Sequence, residues 1–263
     1  MNPTNMAWQY GQVKSNALNV RREPSRKARR WNNVWPMNRL VLIKPCADDG
    51  WYETLYRGET AYVMADFIKL LDEPVPENIV ERMMFMVLPE NGRTKSIYFN
   101  GYGGKWCHRF ADWLAMNAGM PPELLPKTSN CGKGIVWFAT NNSSGGFSFK
   151  SIEHKARMIR SYPVLDILPH ELTAEERVYV PQAGDYVYFR WKNAAKTVNV
   201  SHVGIVASVD DEEVSTWEGN AGRKVAQRTY PLDSREIVGY GRLVYDTPSE
   251  QLSHFATFAH CHI

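Results

Sequence analysis

Gly103-Gly104-Lys105-Trp106-Cys107-His108-Arg109-Phe110-Ala111-Asp112-Trp113-Leu114 sets one thiol at the junction between a glycine-bent lead-in and an amphipathic helix. Phe110 and Leu114 follow Cys107 at helical offsets of three and seven, which marks one face for burial. Gly119, Pro121 and Pro122 are stop signals that close the helix. A cysteine in the first turn of a helix meets unpaired amide N–H groups and the positive end of the helix dipole. That setting lowers a thiol pKa from about 8.5 into the range of about 3.5–7.5. The same N–H groups can receive the oxyanion of a tetrahedral intermediate. A buried, inert cysteine would satisfy this stretch equally well, so the rest of the chain has to decide between the two.

The chain has 263 residues, 22% of them charged, and a formal charge of +3. That composition is globular, and the length suffices for one large or two modest domains. Nine Trp and thirteen Tyr argue against disorder. No apolar run approaches the roughly 18 residues needed to span a bilayer. The N-terminal MNPTNMAWQYGQ has no basic segment followed by an apolar one, so no secretory signal is expected in the sequence as written. The four cysteines, Cys46, Cys107, Cys131 and Cys261, have no C-x-x-C spacing and are expected to be reduced.

Up to about Asp72 the chain reads as short strands and turns: Leu18-Asn19-Val20-Arg21, Leu40-Val41-Leu42-Ile43, Trp51 to Tyr56, Ala61-Tyr62-Val63 and Phe67-Ile68. Asp49-Gly50 and Arg57-Gly58 are the turn signals between them, and the set suggests a small β-barrel. Arg21, Arg22, Arg26, Lys27, Arg29 and Arg30 make this part basic. Without an accompanying nucleic-acid-binding pattern they read as a solvated loop, and no nucleic-acid partner is expected. Asp72-Glu73-Pro74-Val75-Pro76 reads as a linker, and Glu77 to Leu88 as a helix with Ile79, Met83, Met84 and Val87 on one face. From Cys131 to about Val180 the pattern mixes an Asn141–Gly146 loop with a helix around Ile152–Ile159 and reads as connecting structure. Beyond Val180 the chain turns to β: Tyr186–Phe189, Ser201–Val209, Val214–Asn220 and Ile237–Tyr245. A helical half followed by an antiparallel β half is an α+β architecture.

In that β half His202 opens one strand, and Glu218 and Asn220 lie on the next. Two antiparallel neighbours bring such residues face to face, and positions two apart share a sheet face. An imidazole beside a carboxylate and an amide is what a thiol nucleophile needs: a base for its proton, and a group that fixes the tautomer of that base. The reading requires Cys107, His202 and Glu218 to meet in one groove.

The order Leu18-Asn19-Val20-Arg21, Pro24-Ser25, Gly50-Trp51-Tyr52, Gly58, Ala61-Tyr62-Val63 resembles the bacterial SH3-type (SH3b) domain, with Ala61 where that family usually has glycine. Trp106-Cys107, Phe110-Ala111, Gly184-Asp185-Tyr186-Val187, His202-Val203-Gly204-Ile205-Val206 and Trp217-Glu218-Gly219-Asn220 resemble the CHAP domain, a cysteine- and histidine-dependent amidohydrolase/peptidase of papain-like fold. Together the resemblances imply an α+β papain-like CHAP domain behind a small all-β SH3-like barrel. The expected boundaries are 1–72 for the barrel, 73–78 for a linker, 79–250 for the CHAP-like domain and 251–263 for a tail. They imply Cys107 as nucleophile, His202 as base and then acid, Glu218 as orienter of the imidazole and Asn220 as an accessory.

The implied substrate is peptidoglycan, cut at an amide bond of the stem peptide or cross-bridge or at the bond joining sugar to stem, with the SH3b-like part as wall anchor. The implied setting is the cell wall or extracellular space, as for a phage-type lysin or a sequence whose signal has been trimmed, and a monomer is expected. Alternatives are a wall-binding protein with a degenerate second domain, and a toxin or transferase that turns the same chemistry on another protein. Some CHAP domains bind calcium just before the nucleophile. Here that position reads Asn100-Gly101-Tyr102-Gly103-Gly104-Lys105, without a carboxylate, so no calcium site is expected. His108 points away from its neighbour Cys107 on a helix, and His154 and His170 lack a carboxylate strand. The tail His254, His260, Cys261 and His262 has no zinc spacing. No metal or cofactor is expected, Cys46 and Cys131 read as inert, and Trp106, Trp113 and Trp217 read as core.

Overall fold

The computed structural model describes residues 7–94, 99, 105–141, 143–167, 179–192 and 199–244, Asn33 by its backbone alone. Gly103 and Gly104, most of the 100–105 stretch considered for calcium, His170, Tyr245 and the tail with His254, His260, Cys261 and His262 lie outside the described residues.

Seven antiparallel strands make the first sheet: β1 (Gln9–Val13), β2 (Leu18–Arg21), β3 (Arg30–Trp35), β4 (Leu40–Pro45), β5 (Trp51–Tyr56), β6 (Glu59–Met64) and β7 (Ile68–Leu70), in the order β3-β2-β6-β5-β4-β1-β7. Among the described residues no ladder joins β3 to β7. The β5–β6 hairpin closes in the two-residue loop Arg57-Gly58, between paired Tyr56 and Glu59, with φ of 57° and 78°. Two successive positive φ values match the right-handed twist of the strands, and glycine takes one of them without strain. Val20, Trp35, Val41, Ile43 and Val63 form the buried face. β1 and β3 were not read from the sequence, because Gln9–Val13 has glycine at its centre and Arg30–Trp35 extends a basic run.

Residues 71–78 form no regular element. The first helix, α1 (Ile79–Val87), begins two residues later than expected, because the Asn78 side chain accepts hydrogen bonds from the Val80 and Glu81 amides and so caps it there. Ile79, Met83, Met86 and Val87 are buried, each worth about 1.5–3 kcal/mol relative to exposure. Met84, assigned to the buried face from its spacing, is only half-buried, and Arg82 takes a buried place instead. Its Nε donates to the Ala118 carbonyl at 2.7 Å, at the end of α2 (Cys107–Asn117).

The helix expected around Ile152–Ile159 is present, and among the described residues the stretch from Cys131 is more regular than its reading as connecting structure. It holds α3 (Cys131–Thr140) and β8 (Ser144–Phe149), then α4 (Ile152–Ser161). Glycines at 132, 134, 145 and 146 hid both elements from a propensity reading. The second sheet adds β9 (Tyr186–Phe189), β10 (His202–Val209), β11 (Glu213–Ala221), β12 (Lys224–Pro231) and β13 (Ile237–Leu243), in the order β12-β11-β10-β9-β13-β8. Every recorded pairing in it is antiparallel.

The two sheets share one apolar core through the helices. Tyr10, Leu40, Leu42 and Leu55 from the first sheet cluster with Met83 and Met86 of α1 and Leu114 of α2. A charged clamp reinforces this seam. Buried Arg39, just before β4, donates to the Glu90 carboxylate at 3.0 and 3.3 Å and lies over the Trp113 ring at 4.4 Å. Arg93 donates to the same carboxylate. A buried ion is tolerated only while paired, so removing one partner strands the other. Glu90→Leu is therefore expected to lower unfolding stability by about 3–5 kcal/mol, read by urea denaturation. A loss under about 1 kcal/mol would mean that Arg39 reaches water.

Candidate active site

Cys107 is the first residue of α2. Its N-cap, Trp106, supplies no side-chain hydrogen bond to the helix start, so no side chain there competes with an anion for the first-turn amides. The helix lies against β10 and β11. It comes close because Gly219 has no side chain: a Cβ there would stand 2.3 Å from Phe110 Cβ and 2.9 Å from the Trp106 ring. One step along the ladder from the Ile205–Trp217 pair, Gly204 faces Glu218. A Cβ on Gly204 would meet Glu218 Cγ at 2.9 Å, so this glycine makes the space the carboxylate side chain occupies.

His202 Nε2 donates to Glu218 Oε2 at 2.8 Å. The other carboxylate oxygen, Oε1, accepts from Tyr230 at 2.7 Å and from Thr216 at 2.9 Å. With Nε2 engaged, Nδ1 is the ring nitrogen left for the Cys107 sulfur, and imidazole and thiol stand close enough to shift each other's titration. The structure thus brings together Cys107, His202 and Glu218 from three separate elements.

Asn220 departs from expectation. A bulge falls between Glu218 and Ala221, and Asn220 takes a left-handed φ of 62°. The two-residue alternation that would set it beside Glu218 breaks there. Among the described residues Asn220 makes no hydrogen bond to His202.

Cys131, read as inert, lies beside Cys107. Its sulfur lies 3.8 Å from that of Cys107, at the first residue of α3. No helix had been read there, so nothing in the sequence drew the two thiols together. Thr216 was within reach of the alternation rule, two positions before Glu218 on the same strand. Tyr230 was not, because β12 is a mostly exposed edge strand with little apolar pattern.

The electrostatics of the cluster follow from these contacts. The Cys131 thiol, donating to Cys107, holds the Cys107 sulfur well below the ordinary thiol range. Burial opposes this, and the His202 hydrogen bond and charge reinforce it. Burial disfavours charge on His202, yet the Cys107 thiolate and the Glu218 carboxylate together lift it from 6.5 to about 9. Burial would raise Glu218, but hydrogen bonds from His202, Tyr230 and Thr216 keep it below its ordinary value. The stable arrangement near neutrality is a thiolate beside an imidazolium.

His108 turns away from the sulfur, as its position on the helix implied. Its Nε2 meets the Tyr188 hydroxyl at 2.9 Å and its Nδ1 the Asp112 carboxylate at 3.3 Å. His154 lies on α4 and is half-buried. Trp106, Trp113 and Trp217 are core residues.

Cys107 itself is 2% exposed. A cleft of about 270 Å³ opens beside it, lined by Lys105, Asn130, Cys131, Tyr162 and Ser201 among others. Among the described residues no three metal-ligating side chains cluster, and no helix is long and apolar enough to cross a membrane.

A helix opening on a thiol, packed on an antiparallel sheet that carries a histidine–carboxylate pair, is consistent with a papain-like CHAP domain. Residues 97–220 match the family model of the CHAP domain. Among solved structures, the chain is similar to NlpC2 from Trichomonas vaginalis, at 18% identity and a TM-score of 0.31 over 90% of this chain and 72% of that one. It is similar to NlpC1 from the same organism at 18% identity and a TM-score of 0.33, over 90% and 69%. It is also similar to Ly7917, at 22% identity and a TM-score of 0.32 over 61% of each chain. No curated protein matches the chain.

Iodoacetamide alkylation of Cys107, followed by peptide mass spectrometry, is expected to continue well below pH 8. In His202→Ala the rate at pH 6 should drop about tenfold or more as the thiol recovers its proton. Equal rates in the two proteins would mean that the imidazole does not hold the thiolate.

Proposed function

We propose that this chain is a cysteine-dependent peptidoglycan hydrolase, cutting an amide bond of the stem peptide or cross-bridge through an acyl-enzyme. The observation that carries the reading is the buried relay from the helix-start thiol of Cys107 through His202 to Glu218, inside a stretch that matches the CHAP family. In this mechanism the Cys107 thiolate attacks the substrate carbonyl. The amides at the start of α2 receive the developing oxyanion. The His202 imidazolium gives its proton to the leaving amine, then takes one from the water that releases the acyl group. Glu218 fixes the ring, with Nδ1 toward sulfur, and stabilises its charge. Thr216 and Tyr230 hold Glu218. Asn220 has no part in this account.

The first sheet is the proposed wall anchor. The SH3b-type order of Leu18-Asn19-Val20-Arg21, Gly50-Trp51-Tyr52 and Ala61-Tyr62-Val63 supports that role, and the site of action is then the cell wall. The protein is proposed to act as a monomer. The N-acetylmuramoyl-L-alanine amide bond and the peptide bonds of stem and bridge are equivalent for this relay. Fragments released from defined muropeptides distinguish them by mass.

Cys107→Ala is expected to abolish clearing of purified walls, by about 10³-fold or more. Retention of full clearing by that variant would end the reading. Asn220→Ala should stay within about threefold of wild type, since it removes no contact of the relay.

Activity should rise with pH as Cys107 ionises. It should fall as pH passes about 9, where His202 loses its proton and the thiolate–imidazolium pair with it. Glu218 raises the His202 pKa, so Glu218→Gln should move the alkaline limb of kcat/KM down by about one unit. An unmoved limb would show that another group sets it.

A further inference from the structure

We propose that Cys107 and Cys131 form an oxidation site that closes to a disulfide when the chain meets a peroxide. The closure does not depend on the hydrolase reading; only its consequence, the switching off of hydrolysis, rests on it.

The argument starts from position. The two sulfurs are 3.8 Å apart, and each belongs to the first residue of a helix. A disulfide requires about 2.05 Å, so the sulfurs must approach by about 1.8 Å. The start of α3 is not held by the thiol contact alone: it is capped by Asn130, which accepts from the Lys133 amide at 3.0 Å. The pair therefore has freedom to close without uncapping α3.

Access is the second point. Cys107 is buried, whereas Cys131 lines the cleft with Lys105 and Asn130. A small oxidant entering the cleft meets Cys131, whose sulfur lies 3.8 Å from that of Cys107. Cys46, the remaining described cysteine, follows β4 in the first sheet.

The chemistry balances with hydrogen peroxide as oxidant. The Cys107 thiolate attacks one peroxide oxygen. An S–O bond forms as the O–O bond breaks, and the departing hydroxide takes the His202 proton and leaves as water. Cys131 then attacks the sulfenyl sulfur. The S–S bond forms, the S–O bond breaks, and the second hydroxide leaves as water with the Cys131 proton. Two thiols have lost two electrons, and peroxide has been reduced to two waters.

The electrostatics order these steps. While Cys107 is a thiolate, its charge and burial keep the Cys131 thiol protonated. Conversion of Cys107 to the neutral sulfenic acid removes that charge, so Cys131 ionises more readily when it is needed. The bland alternative is that Cys131 only fills space beside the nucleophile.

The test uses the full chain, treated with hydrogen peroxide, alkylated in denaturant, digested without reduction and mapped by mass spectrometry. The expected product joins the Cys107 peptide to the Cys131 peptide and is reversed by dithiothreitol. In Cys131→Ser, dimedone trapping of the Cys107 sulfenic acid should rise about tenfold over wild type. Longer exposure should then give sulfinic acid that dithiothreitol does not reverse.

Absence of the linked peptide would overturn the proposal. So would pairing of Cys107 with Cys46 or Cys261, or equal dimedone trapping in the two proteins. Should the variant fail to fold, the wild-type map decides alone. The map is read without an activity assay, so a chain that cuts no wall can still show closure.

Discussion

The site depends on how closely one helix lies against one strand. α2 rests on β11 because Gly219 offers no Cβ to Phe110 and Trp106. That contact brings the first residue of the helix, Cys107, to the strand that carries Glu218. Gly204, on β10, does the same for the carboxylate side chain, which occupies the space a larger residue would fill. The chemistry thus rests on two places where the chain has no side chain. An interior packed to the density of a crystal cannot yield such room elsewhere.

Burial and hydrogen bonding act against each other in this cluster, and their balance decides the protonation state. Taken alone, burial would leave a neutral thiol and a neutral imidazole. Short contacts reverse this: Cys131 and His202 on the Cys107 sulfur, Glu218 on the ring, and Tyr230 and Thr216 on Glu218. Each charged group has a partner of opposite charge or a donor, and so the group is tolerated out of water. The relay reaches to the edge of the sheet, because its last donor, Tyr230, stands on β12.

Much of this was legible in the sequence, for identifiable reasons. Cys107 at a helix start, with Phe110 and Leu114 on the buried face, followed from spacing. The strands carrying His202 and Glu218 followed from their β-branched runs. What escaped reading lay where local pattern is weak. α3 and β8 contain glycines that a propensity argument counts against both helix and strand, and they are stabilised by packing rather than by their own sequence. Without α3 there was no reason to bring Cys131 to Cys107. Strand alternation was extended to Asn220 across a bulge, which residue order alone did not mark. β12 escaped because an exposed edge strand needs little apolar content.

The Arg39–Glu90–Arg93 clamp has a mechanical consequence. Glu90 lies just beyond α1, and Arg39 at the start of β4, with Trp113 of α2 beneath its guanidinium. The first sheet is therefore bolted to the helix that bears the sulfur, and is not a bead swinging on a leash. The first sheet and the cleft therefore stand at a fixed reach and bearing, as in a caliper whose span was set when the core closed.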